Sequence, residues 1–113
     1  MQINTFGISR PLTNENIEVI LKNIMQYISG RADKVFIFGS VARKKFNPDS
    51  DIDLVIVKET SEKFVRRAFE FEELFKFYPR LDIIVYTARE FADQLKKNTS
   101  FWDEFRRDAV QLI

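Results

Sequence analysis

Two short runs of β-branched and aromatic residues, Val35 to Phe38 and Ile52 to Val57, bracket a Gly39-Ser40 pair and two carboxylates, Asp51 and Asp53. Runs of this length and type read as strands. The Gly-Ser pair therefore falls where one strand ends and the next element begins, with backbone amides free to meet an anion. Side chains two apart on a strand share a face, so Asp51 and Asp53 are expected to approach one cation, roughly 6 to 7 Å apart along the strand. A hard divalent ion such as Mg2+ prefers a couple of carboxylates with phosphate oxygens and water. The segment offers both kinds of ligand, the layout of a metal-dependent nucleotide-handling site.

The rest of the chain supplies a scaffold of alternating elements. Thr13 can cap a helix from about Asn14 to Ser29, which Gly30 can end. Lys34 to Phe38 reads as a strand, Val41 to Lys45 as a brief helix, Asn47-Pro48-Asp49 as a turn, and Asp51 to Val57 as the second strand. Between residues 61 and 77, Phe64, Ala68, Phe71, Phe75 and Tyr78 recur at intervals of four and three among charged residues, which predicts an amphipathic helix closed by Pro79. A core role fits its phenylalanines better than a cofactor box. Leu81 to Tyr86 reads as a third strand, and Thr87-Ala88-Arg89-Glu90 as a capping box opening another helix. A last helix is expected from about Ser100 to Arg107. Strands that are apolar on both faces and separated by helices predict an α/β sheet rather than a sandwich. At 113 residues the chain suits a single domain, expected over 1–113.

The third strand carries Asp82, an acid just inside an otherwise apolar run. Such a group wants a metal, a cation or a proton. If this strand neighbours the second, Asp82 could lie on the same face as Asp51 and Asp53, since directly opposed side chains are about 4.5 to 5.5 Å apart. Three carboxylates would then surround one or two Mg2+ ions, as in two-metal transfer of a phosphorus group. The sequence has no histidine and no cysteine. That excludes an imidazole base, a thiol nucleophile and a thiolate metal site, and leaves Asp82 as the candidate general base.

Rival readings fail on specific residues. An EF-hand count from Asp49 puts Leu54 where Gly is needed and Thr60 where Glu is needed. Gly39 is not followed by the Gly-Lys-Ser/Thr of a P-loop. Asp49-Ser50-Asp51 could still be a solvated strand start, and Arg43-Lys44-Lys45 either a solvated patch or a hold on a triphosphate. A net charge of +1 gives no drive toward nucleic acid, so no direct nucleic-acid binding is expected. No run approaches a membrane span and the start lacks a long apolar h-region, so a cytoplasmic location is expected.

Gly39-Ser40, ten intervening residues, then Asp51-Ile52-Asp53, with a later lone acid in Leu81-Asp82-Ile83-Ile84-Val85, resembles the minimal nucleotidyltransferases of the DNA polymerase β-like superfamily. The resemblance covers roughly residues 15 to 100. It implies a small nucleotidyltransferase fold, a short mixed β-sheet flanked by helices. It further implies Gly39, Ser40 and Arg43 at the triphosphate of ATP, and Asp51, Asp53 and Asp82 as Mg2+ ligands. Lys44 stands where members commonly have Gly. Stand-alone prokaryotic members of this size are typically antitoxins paired with a HEPN-domain ribonuclease toxin, which they neutralise by moving AMP from ATP to a toxin tyrosine. Little of the chain is left over to hold a small acceptor, which favours a protein acceptor. A small-molecule acceptor such as an aminoglycoside, and a non-catalytic antitoxin acting by binding alone, are the alternatives.

Overall fold

The computed structural model describes residues 11–113; the first ten residues of the expected domain lie outside the described residues. Four strands form one sheet in the order β3-β2-β1-β4. They are β1 (Lys34–Phe38), β2 (Ile52–Val57), β3 (Leu81–Tyr86) and β4 (Val110–Gln111). β1 runs antiparallel to β2 and to β4, whereas β2 and β3 are parallel, so the sheet is mixed as expected. The parallel pair needs a crossover, and the charged, Phe-rich segment provides it.

Side-chain alternation divides the interior into two cores. Ile52, Leu54 and Ile56 of β2 pack with Ile24 and Ile28 of helix α1 (Ile17–Ile28) and with Phe71 and Leu74 of the crossover. Val55 and Val57 point to the other side, toward Phe91 of α3 (Ala88–Leu95) and Trp102 and Phe105 of α4 (Ser100–Asp108). That second face is aromatic: Phe36, Phe38, Phe91 and Phe105 form a chain of rings with centroids 5.1 to 5.9 Å apart.

The helix boundaries follow the caps. Thr13 and Asn16 exchange hydrogen bonds, each backbone amide donating to the other's side-chain oxygen at 2.9 and 3.0 Å, so regular winding starts at Ile17 rather than Asn14. Thr87 and Glu90 make the anticipated capping box at the start of α3. Glu90 also receives both terminal nitrogens of Arg67, at 2.6 and 3.2 Å, and Arg67 donates to the Val85 carbonyl. The Arg67 guanidinium and the Thr87 amide together hold the Glu90 carboxyl below the usual carboxylate range. Arg67→Met is expected to lower stability by about 1 to 2 kcal/mol, because one side chain ties the crossover to β3 and α3. A urea midpoint unchanged from the wild type would contradict this.

Three elements differ from the sequence expectation. The crossover (Phe64–Lys76) is a 3₁₀ helix bent at Phe71 rather than an α-helix over 61–77. Three residues per turn put Phe71 and Leu74 on one line over the core. The brief helix α2 spans Gly39–Ala42 rather than Val41 to Lys45, and ends because Lys44 takes a left-handed backbone, φ 59°, where Gly is the ordinary residue. Finally, β4 had no forecast. It pairs Val110 with Ile37 and Gln111 with Phe36, and just beyond it the Leu112 amide donates to the Val35 carbonyl and the Val35 amide to the Ile113 carbonyl.

Candidate active site

The register of the sheet assembles the site at one end. Asp53 of β2 lies opposite Phe38 of β1 on one side and opposite Asp82 of β3 on the other. Alternation aims all three at the α3/α4 side, the same side as Val55 and Ile84. Asp82 stands close enough to Asp53 for the two carboxyl groups to share a proton and for its charge to act on Asp53. Two facing carboxylates can bond only if a proton or a cation sits between them. Burial of Asp53, the sharing of a proton with Asp82 and its charge, and the charge of Asp51 raise the Asp53 carboxyl to about 6, against which the Arg43 guanidinium acts. The sequence put the cost of a half-buried acid on Asp82. It falls on Asp53, for Asp82 is exposed and Asp53 is half-buried.

Asp51 stands just before β2 rather than in it, and its Oδ1 accepts from Arg80 Nε at 3.0 Å. The expected ring of three carboxylates is thus only partly drawn together. Among the described residues no three His, Cys, Asp or Glu side chains are grouped to hold a metal ion. The donor set nonetheless fits a hard divalent cation: every candidate ligand is a carboxylate oxygen, and Asp53 and Asp82 carry a repulsion that such a cation relieves. Asp51 would have to exchange Arg80 for the ion. Nothing in the sequence marked Arg80 as its partner, since the two lie 29 positions apart and meet only through the parallel pairing of β2 and β3.

The Gly-Ser pair meets the same acids. Gly39 opens α2 with φ 77°, and a Cβ added there would run into Asp53 Oδ2. The first amides of a helix have no intrahelical acceptor, so Gly39 and Ser40 present backbone donors beside the carboxylates. Gly39, Ser40, Arg43 and Asp53 line one cleft of about 230 Å3, whose opposite wall is Phe101, Glu104 and Phe105 of α4. The α4 helix was legible in the sequence, but its place over the cleft was not. That depends on the packing of α4 against α2. All six expected site residues lie at this end of the sheet: Asp53, Gly39, Ser40 and Arg43 in the cleft, Asp82 against Asp53, and Asp51 near enough for its charge to act on Asp53.

With this geometry in place, comparison with known proteins gives the class. The profile of the nucleotidyltransferase domain family matches residues 18–110, and the chain belongs to that family. Among solved structures it is similar to a protein of Sulfolobus solfataricus provisionally assigned as a nucleotidyltransferase. The two are 22% identical, with a TM-score of 0.60 over 86% of this chain and 79% of that one. It is also similar to a chain in the crystal structure of a toxin-antitoxin with AMP-PNP. There the identity is 16% and the TM-score 0.55, over 89% of this chain and 73% of the other. At these identities the likeness is one of fold. A search of curated protein sequences finds no match. The small mixed sheet flanked by helices is the nucleotidyltransferase fold, as the sequence led one to expect.

Proposed function

We propose that this nucleotidyltransferase moves AMP from ATP to a hydroxyl of a partner protein, most naturally a tyrosine of a HEPN-domain toxin, and so acts as an antitoxin in the cytoplasm. The observation that carries nucleotidyl transfer is Asp53 set directly against Gly39 in the cleft that Ser40 and Arg43 also line, with Asp82 beside it. The family supports the reaction class, and a fold neighbour seen in a toxin-antitoxin with AMP-PNP supports the choice of partner. The cleft also leaves little enclosure for a small second substrate, and its open side suits an acceptor that brings its own surface.

In this reading Gly39, Ser40 and Arg43 hold the triphosphate. Asp51, Asp53 and Asp82 are the carboxylates that would bind Mg2+, which when present neutralises charge between them and the phosphates. The acceptor oxygen bonds to the α-phosphorus, the bond from that phosphorus to the β-phosphate oxygen breaks, and pyrophosphate leaves with the electron pair. Asp82, the more exposed acid of the pair, takes the hydroxyl proton.

The test is to incubate the chain with ATP, Mg2+ and the protein encoded beside it, then read the partner's mass. A gain of one or more AMP units is expected, and Asp51→Asn should reduce it by about a hundredfold or more. One observation favours a second reading, a non-catalytic antitoxin: Asp51 is engaged by Arg80 rather than turned to its fellow acids. A tight complex with no mass gain would establish that reading instead.

A further inference from the structure

The α4 wall of the cleft carries a feature that phosphate binding and proton transfer leave without a task. Along α4, Trp102 and Phe105 are each 5% exposed and belong to the core, but Phe101, one position before Trp102, is 41% exposed. Its ring is not loose. It meets Phe38 edge to face at 5.5 Å and Trp102 at 4.9 Å, contacts that fix the ring on a rigid helix. Phe101 also lines the cleft that contains Gly39, Ser40, Arg43 and Asp53.

A firmly held aromatic surface beside a phosphate-binding turn suits one flat partner. We propose that Phe101 is the platform on which the nucleobase of the nucleoside triphosphate stacks. The inference rests on the nucleotidyl-transfer reading above. Phosphates placed at Gly39 and Ser40 leave the nucleoside to occupy the remaining cleft, whose far wall is α4. Stacking serves any base, because every base has a π face, so Phe101 supplies affinity for the nucleoside rather than a choice among bases. Phe38 and Trp102 act through Phe101 and position it.

The sequence could show Phe101 only as one of three aromatics on a helix. The spacing of Phe101, Trp102 and Phe105 suits a buried stripe. Phe101 differs because the packing of α4, which starts at Ser100 under its Thr99 cap, against α2 brings this residue to the cleft.

The measurement is calorimetric titration of AMP-PNP and, separately, of inorganic tripolyphosphate, each with Mg2+, into the wild type, Phe101→Ala and Phe101→Trp. Phe101→Ala is expected to weaken AMP-PNP by about fivefold to a hundredfold and to leave tripolyphosphate unchanged, while Phe101→Trp restores AMP-PNP. An equal loss for both ligands would assign Phe101 to the shape of the cleft and overturn the inference. So would unchanged AMP-PNP binding by Phe101→Ala, in which case the ring faces the acceptor. If the wild type binds neither ligand, the nucleotidyl-transfer reading itself falls, and this inference with it.

Discussion

Asp53→Asn is expected to lower AMP transfer by about a thousandfold or more, because a group that ligates the cation and confronts the phosphates contributes several kcal/mol to the transition state. The same substitution should leave the fold intact and change how stability depends on pH. The Asp53 carboxyl titrates at about 6 in the folded chain against an ordinary value of 3.8. A raised carboxyl binds its proton more tightly when folded. Its contribution is therefore fully present below about 3.8 and is lost as the pH rises through about 6. Asn has no proton to lose, so the difference in denaturation midpoint between variant and wild type should move in favour of the variant from pH 4 to pH 7. A difference that stays constant across that range would show that burial and Asp82 together do not raise the Asp53 carboxyl. Undiminished transfer would remove Asp53 from the site altogether.

Gly39→Ala should be nearly as damaging to activity, for a different reason. Gly39 has φ 77°, a conformation that costs an L-residue about 1 to 2 kcal/mol. The added Cβ also strikes the Asp53 carboxylate, whose short side chain has little freedom to withdraw. Stability should fall by about that amount, and transfer by about a hundredfold, the usual result of displacing a reacting group by an ångström. Gly30→Ala is the control. Gly30 has φ 82° but nothing within 4 Å of an added Cβ, so it should share the loss of stability and keep transfer. Equal activity of the two variants would mean that the closeness of Gly39 to Asp53 is immaterial.

The parts of the molecule that were legible in its sequence are those fixed by local chemistry. The strand ends, the capping box of Thr87 and Glu90, and the stop of α1 near Gly30 depend on neighbours within a few positions. The pairing of Asp53 with Asp82 was open to inference only on the assumption that β2 and β3 are neighbours, which the register bears out. What escaped was set by distant packing. Asp51 turns to Arg80 because the turn into β3 passes beside the start of β2, with the Ile52 amide donating to the Arg80 carbonyl. Strand β4 is two residues long, too short for alternation to register. Lys44, the departure from the family pattern, sits where the backbone asks for glycine, and no neighbour in sequence announces that demand.

The separation of the interior by the sheet into two cores gives this small protein two independent mutational territories. On the α1 and crossover side, Ile24, Ile28, Phe71 and Leu74 form core and none of the four lines the cleft. Substitutions there are free to tune thermal tolerance and expression without altering the chemistry. The α3 and α4 side has no such freedom, because Phe38 and Phe105 are at once core and cleft wall. A lineage adapting to a hotter cell or a new partner would therefore be expected to drift fastest on the first face, and to keep its volume and shape on the second.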